Sequence, residues 1–251
     1  MVGDTSGSWA SLGIPLVHLM PRAGITLQAL RAEGVAQAST PLVAIVNSNY
    51  VPAEGWLDEV LRAGTDVTAG CISPSPALSW VGWAIFLCEY LPVAPPLPDG
   101  AIEPKLVPGG NVVYQRDRIP LETMRSSEWE LDFHEKLRAE GRTLIRNSRL
   151  IAEFAGYEGL MGYCRERWEL SHRIARTQRG TAPRWWLVVS RTALPALILW
   201  RIFRNVLQRP AYIGHFVATL PLVLLFGLVQ ASGEVHGHAT STIRQPLGVV
   251  S

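Results

Sequence analysis

Three short stretches carry side chains whose types and spacing could do chemistry. Amides at Asn47 and Asn49 directly follow an apolar run, a glycine pair precedes Asn111, and Glu130 opens an acidic, amphipathic stretch. Amide oxygens can coordinate a hard cation but bring no negative charge. A carboxylate can accept a proton in catalysis, or it can stabilise a helix N-terminus through the helix dipole. Both roles stay open for Glu130 on the residues alone.

Cysteines and histidines do not predict a metal centre. Cys71, Cys88 and Cys164 are far apart in the chain, so they form neither a close pair nor a metal-ligand spacing. His236 and His238 are spaced loosely like a ligand pair but have no further ligands nearby. We therefore expect neither a zinc site nor a disulfide framework.

The elements that must position these stretches alternate between strands and helices. Residues 41–47 contain an apolar run rich in β-branched side chains, which is typical of a parallel strand covered on both faces. Residues 92–108 hold six prolines, too many for regular structure and suited to an active-site loop. The other expected strands are 15–20, 67–72, 112–114, 143–145 and 150–154, and the expected helices are 23–38, 54–63 and 130–141.

The C-terminal third predicts contact with a membrane. Residues 210–233 carry no formal charge, and about 20 apolar residues suffice to cross a bilayer. Residues 185–200 contain Arg191 and have basic flanks, so we expect an interfacial helix with Trp185, Trp186 and Trp200 at headgroup level and arginines on anionic lipid. A hairpin of two membrane helices is the alternative.

Composition narrows the class of partner. Charged residues make up 18% of the chain, below the ~25% usual for soluble proteins. The net charge is only +2, whereas a nucleic-acid-binding domain is normally strongly basic with clustered charge. We therefore expect membrane lipids, and no nucleic acid, among the partners.

Several segments resemble the family 2 nucleotide-sugar glycosyltransferases. Residues 38–61 place an apolar strand, a polar triplet, a proline and a Gly-Trp-Leu helix start in that family's order. Residues 109–116 are similar to its GGN-x-x-(Y/F)-x-R stretch near the acceptor, and residues 130–141 to its acidic helix. The resemblance extends over roughly residues 4–237, because an apolar helix followed by Gly233-Glu234 is similar to membrane-attached bacterial members.

This resemblance implies an α/β fold of the GT-A type. The fold would have a Rossmann-type, mostly parallel sheet with helices on both faces, followed by a C-terminal membrane-associated helical segment. The chain would divide into a transferase domain at 1–162, basic interfacial helices at 163–209, a transmembrane helix at 210–233 and a tail at 234–251.

The resemblance also implies roles for individual residues. Glu130 lies where the family has its catalytic aspartate, so it would be the general base of an inverting transfer, with Glu128 as the fallback. The implied donor-binding residues are Asp4, Arg31, Asn47 and Asn49. The implied acceptor-binding residues are Gly109, Gly110 and Asn111.

Two departures from the family pattern change these expectations. The family's D-x-D aspartates bind a divalent cation on the donor diphosphate, but residues 47–49 here read Asn-Ser-Asn. Dependence on Mg²⁺ or Mn²⁺ is therefore not assumed, and Arg22 or Arg31 would neutralise the diphosphate instead, unless both are solvated helix surface. The family's first strand and its base-binding loop have no room before residue 4, so either the start of the resemblance is misassigned or a piece of roughly 30 to 40 residues is missing from the nucleotide site.

Two candidate functions follow. The first is a transferase that moves a sugar from a nucleotide- or lipid-phosphate-linked donor to a polysaccharide or lipid-linked acceptor of the cell envelope. It would act at the inner membrane with its soluble domain in the cytoplasm. The second is a catalytically inactive relative that serves as a membrane partner or scaffold, which Asn47, Asn49 and the missing strand favour. Glu130 and the Gly109-Gly110 pair favour the enzyme.

Overall fold

The computed structural model describes residues 25–125, 129–157, 159–177 and 184–240. The helices in these ranges are α1 Leu27–Gln37, α2 Trp56–Leu61, α3 Trp80–Glu89, α4 Trp129–Ala139, α5 Leu160–Thr177, α6 Arg184–Arg191, α7 Leu194–Leu207 and α8 Ile213–Thr240. The strands are β1 Leu42–Val46, β2 Tyr50–Pro52, β3 Val67–Pro74, β4 Gly100–Ala101, β5 Asn111–Gln115 and β6 Leu144–Phe154. The strand expected at 15–20 lies outside the described residues.

The strands form one mixed sheet in the order β1-β5-β3-β6-β2, and the short β4 also pairs with β6. Within the described ranges, β3 and β6 run parallel, whereas β1 with β5, β3 with β5, β2 with β6 and β4 with β6 run antiparallel. The prediction of a Rossmann-type, mostly parallel sheet is therefore wrong. An apolar run such as residues 42–46 reports burial, but it does not fix the direction of the neighbouring strand.

The two strands expected at 143–145 and 150–154 are one continuous strand, β6. The polar residues Arg146, Asn147 and Ser148 interrupt the apolar pattern between the two expected strands. Inward and outward positions alternate along β6 instead, and Arg146 is itself buried. A register shift between Ala69 and Cys71 of β3 lets the two strands stay paired along this length.

Besides the short strands β2 and β4, helix α3 was not predicted by the sequence pattern. Five consecutive residues, Ala84 to Cys88, are buried, so no polar face marks a helical period. Its start is fixed by Ser79, whose Oγ accepts a hydrogen bond from the Gly82 amide at 3.1 Å. The proline-rich stretch that follows is irregular as expected, except for short 3₁₀ turns and the two-residue β4.

Two large apolar clusters flank the sheet, besides a small one around Val60, Val113 and Leu150. One packs α1 and α4 against β5 through side chains such as Val35, Tyr114 and Trp129. The other joins α3 to the C-terminal helices through Phe86, Phe154 and other buried side chains. The second cluster includes Tyr163, Ile198, Ile202 and Phe226. The expected boundary at residue 162 thus falls inside α5, and the C-terminal helices share a core with the sheet.

One segment of the described chain, Pro210–Thr240, is long and apolar enough to cross a membrane, with a mean hydropathy of 2.0. It extends the span expected at 210–233 by seven residues of helix. The interfacial segment expected at 185–200 is divided between α6 and α7, of 8 and 14 residues. Both are too short to span a bilayer, which needs about 20 residues. Trp186 and Trp200 are half exposed on these helices.

Candidate functional site

A single cleft of about 1310 Å³ collects most of the residues that the sequence singled out. The end of β1, the turn before β5, and the starts of α1 and α4 all reach it. The candidate residues that line the cleft are Arg31, Asn47, Asn49, Gly109, Gly110 and Glu130. Residues far apart in the chain thus meet at one surface, large enough for a nucleotide sugar and part of an acceptor.

Arg31 lies at the centre of the polar contacts in this cleft. Its Nη2 donates a short hydrogen bond to Asn47 Oδ1, and its Nη1 lies 3.4 Å from Glu130 Oε1. Arg31 lies in helix α1. Thr26 caps the N-terminus of this helix, because its hydroxyl oxygen accepts a hydrogen bond from the Ala29 backbone N–H. Only 16% of the Arg31 side chain is exposed, so its charge is little screened by water.

Glu130 lies in the first turn of α4 with 24% of its side chain exposed. Burial raises the pKa of the Glu130 carboxyl, and the positive charge of Arg31 partly opposes that rise. The preceding residue, Trp129, is buried and donates from its indole nitrogen to Gln28 Oε1 at 3.3 Å. This anchor fixes the start of α4 against α1, so the carboxylate is held at the cleft wall.

The glycine pair allows the backbone to approach the polar groups closely. A Cβ at Gly109 would overlap the Glu130 carboxylate, with its Cδ only 3.1 Å away. A Cβ at Gly110 would overlap the Asn47 amide and lie 2.6 Å from Tyr50 Cε2. The backbone N–H of Asn47 also donates to the backbone carbonyl oxygen of Gly110 at 3.1 Å. Glycine is therefore required here by space, since any side chain would displace the site's own groups.

The residues present do not fit a divalent cation. Asn47 Oδ1 already accepts from the Arg31 guanidinium, which places a positive charge against the ligand that a metal would need. Asn49 adds a second neutral amide to the cleft. No group of three histidine, cysteine, aspartate or glutamate residues within the described ranges could hold a metal ion. Neutral amide oxygens bring no negative charge to balance a hard cation, and the Arg31 guanidinium already places a positive charge at Asn47.

Asn111 does not line the cleft, although the sequence grouped it with the glycine pair. It is fully buried, and its Nδ2 donates to Cys71 O at 2.8 Å and to Leu150 O at 2.9 Å. Its Oδ1 accepts from Trp56 Nε1 at 2.9 Å. Asn111 thus ties β5 to β3, β6 and α2, and the geometry gives it a supporting part in positioning the glycine turn. Asp4 and Glu128 lie outside the described residues.

Another part of the cleft wall consists of tyrosines and charged residues that were not among the candidate site residues. Tyr50, Tyr90, Tyr157 and Tyr163 line it together with Glu89, Glu166 and Arg201. Tyr50 and Tyr90 meet edge to face with ring centroids 5.7 Å apart, and burial raises the pKa of Tyr50 to about 12. Tyr50 lies in β2, Tyr90 directly follows α3, Tyr157 lies in a loop and Tyr163 lies in α5. Only the tertiary structure brings them together.

Comparison of this chain with models of known protein families and with curated proteins finds no match in either case. The arrangement of side chains in the cleft therefore carries the functional argument.

Proposed function

We propose that this protein transfers a sugar from a nucleotide- or lipid-phosphate-linked donor to a hydroxyl group of a glycan or lipid-linked acceptor, with inversion at the anomeric carbon. The observation that carries the proposal is the convergence of Arg31, the Asn47 amide and the Glu130 carboxylate on one cleft behind a glycine turn. This arrangement puts a fixed positive charge beside a proton acceptor.

Arg31 is the group that would meet the donor's phosphates. A guanidinium offers several N–H donors in a plane and binds phosphate oxygens in pairs. Lys105 lines the same cleft and adds a second positive charge. Together they can neutralise a diphosphate leaving group without a metal, which agrees with the neutral amides at Asn47 and Asn49.

Glu130 is the proposed general base. Its oxygen takes the proton of the acceptor hydroxyl while that hydroxyl's oxygen forms a bond to the anomeric carbon. The bond from the anomeric carbon to the donor phosphate breaks, and its electron pair leaves with the phosphate. A base works best when its pKa lies near the working pH, and burial moves the pKa of Glu130 upward in that direction.

The proposed location is the cytoplasmic face of the inner membrane. Pro210–Thr240 is long and apolar enough to cross the bilayer. Arg201, Arg204 and Arg209 precede this segment, and basic residues beside a span favour the cytoplasmic side. The cleft would then face a compartment that contains nucleotide sugars.

A second candidate is a non-catalytic membrane partner of an active transferase. The Arg31–Glu130 ion pair and the absence of a carboxylate at residues 47 and 49 favour it, because an ion pair can serve structure alone. This candidate predicts an intact fold that binds no sugar nucleotide.

Calorimetric titration of the purified chain separates the two candidates. UDP- and GDP-sugars are titrated with Mn²⁺ and with a chelator. The transferase predicts saturable binding of one donor that the chelator does not weaken, together with release of nucleoside diphosphate when membrane lipid extract is added. If no donor binds in either condition, the transferase proposal fails and the partner function stands.

A further inference from the structure

We infer that the acceptor is a lipid whose headgroup carries a phosphate and a hydroxyl, and that Arg201 binds the phosphate at the membrane end of the cleft. This inference rests on the proposed transferase function and names the acceptor class for the same cleft. The structural basis is that one residue, Arg201, lines both the large cleft and a smaller pocket on an exposed helix face.

Helix α7 has two faces of opposite character. Ile198, Ile202 and Val206, spaced four residues apart, are buried against the core. The opposite face exposes large apolar side chains, namely Leu197 at 60%, Trp200 at 58% and Leu207 at 55%. Such a helix, with basic residues among exposed aromatic and aliphatic side chains, is typical of one that lies in a membrane interface.

The exposed apolar surface continues onto the candidate membrane helix. Val217 and Leu228 of α8 are more than half exposed, and α8 packs beside α7 in the second core cluster through Phe216 and Phe226. An acyl or prenyl chain can therefore lie against α7 and α8 while its headgroup points toward the cleft. Because the exposed apolar surface is continuous with the candidate membrane helix, it fits a lipid chain rather than a soluble protein.

Charge at this end of the cleft favours a phosphate at Arg201. Glu89 is held by Arg167, with Nη1 at 2.5 Å from Oε1, so its negative charge is already paired. Arg204 follows one turn after Arg201 but lines only the smaller pocket and not the cleft. Glu166 also lines the cleft, is exposed, and can accept hydrogen bonds from hydroxyl groups of the headgroup.

The cleft connects this phosphate position with the proposed base. Arg201, Glu130, Tyr90 and Tyr163 all line this one cleft. Tyrosine rings offer an apolar face on which a sugar or polyol ring packs, and a hydroxyl that hydrogen-bonds to it. A headgroup anchored by its phosphate at Arg201 would therefore extend a hydroxyl toward Glu130.

The test measures binding of dodecyl phosphate to the full chain in nanodiscs of zwitterionic phosphatidylcholine, with dodecanol as the uncharged control. The variants are Arg201→Gln and, as a matched control, Arg204→Gln, which removes the same charge from the same helix but from outside the cleft. UDP- and GDP-sugar binding is measured in parallel for every variant.

We expect dodecyl phosphate to bind and dodecanol not to bind. Arg201→Gln should weaken the binding of dodecyl phosphate by about fivefold or more, since one arginine near an anionic group contributes about that factor. Arg204→Gln should change this binding less than twofold. Donor binding should stay unchanged in both variants, and lysophosphatidylinositol, which adds ring hydroxyls, should bind more tightly than dodecyl phosphate.

Four results would overturn the inference. Equal weakening by both variants would mean attraction to a charged membrane surface rather than a site. Equal binding of dodecanol would mean apolar contact alone, and displacement of the donor by dodecyl phosphate would place the phosphate at Arg31. If a donor binds but no phosphate amphiphile does, this inference fails while the proposed function survives. If no donor binds at all, the proposed function fails.

Discussion

Arg31 Nη1 lies 3.4 Å from Glu130 Oε1, across a separation of 99 residues in the chain. The pair joins the middle of α1 to the first turn of α4, and only 16% and 24% of the two side chains are exposed. The positive charge of Arg31 therefore opposes the rise in the pKa of the Glu130 carboxyl that burial causes. The same pair has two chemical duties in the proposed reaction, phosphate binding by the cation and proton transfer by the anion.

Replacing the carboxylate should separate binding from turnover. We expect Glu130→Gln to lower kcat by about 10²- to 10⁴-fold, the usual contribution of a general base, while calorimetric donor affinity stays within about twofold of the parent. The matched control is Glu135→Gln, an exposed carboxylate on the same helix, which should have no effect. Unchanged turnover in Glu130→Gln would remove this residue as the base.

Replacing the Arg31 guanidinium should weaken binding of the donor and shift the pH profile of kcat/KM. Arg31→Gln is expected to lower affinity for the sugar nucleotide by roughly tenfold to a hundredfold, because a desolvated phosphate contact is lost. Arg31 opposes the rise in the Glu130 pKa, so its loss should raise that pKa further and move the acid limb of kcat/KM to higher pH. The exposed Arg165→Gln serves as the control. An unshifted acid limb would show that the two groups are not coupled in solution.

Filling the glycine turn should damage the site more than the fold. In Gly110→Ala the new methyl group would overlap the Asn47 side-chain amide and would lie 2.6 Å from Tyr50 Cε2. Overpacking of this kind costs about 1–3 kcal/mol, and we expect donor binding to fall below detection while a cooperative unfolding transition remains. Gly64→Ala is the control, since its Cβ would contact only Arg62 O at 4.0 Å. Normal donor affinity in Gly110→Ala would argue that Asn47 does not bind the donor.

Buried His134 should make stability depend on pH. Burial lowers the pKa of His134 from 6.5 to about 4, and its Nε2 lies 3.0 Å from the Tyr114 hydroxyl. Between pH 6.5 and about 4, His134 therefore carries a proton in the unfolded chain but not in the folded chain. Stability from this residue is complete above pH 6.5 and is lost as the pH falls toward 4, by roughly 3 kcal/mol in total.

Thermal unfolding in neutral detergent at pH values from 4 to 7.5 checks this expectation. The difference in Tm between the parent chain and His134→Gln should shrink or reverse as the pH falls, because the glutamine cannot take up the proton. A difference that is constant over the whole range would mean that His134 does not titrate on unfolding.

The amino-acid sequence was informative where chemistry is local. The glycine pair, the polar Asn-Ser-Asn triplet and the acidic helix start each predicted a polar site, because the residue types themselves limit what they can bind. Length and hydropathy indicated a span near residues 210–233, and a helix of that character extends over Pro210–Thr240. These features depend on neighbours within a few residues.

Strand direction and the tyrosine-lined part of the cleft wall were decided by tertiary structure alone. Residues 42–46 are apolar in either direction of pairing, and only the return of the chain at β5 makes the pairing antiparallel. Likewise, Tyr90, Tyr163 and Arg201 lie far apart in sequence and share no pattern. They meet because α5 and α7 pack against one core, and long-range packing of this kind leaves no periodic signal in any one segment.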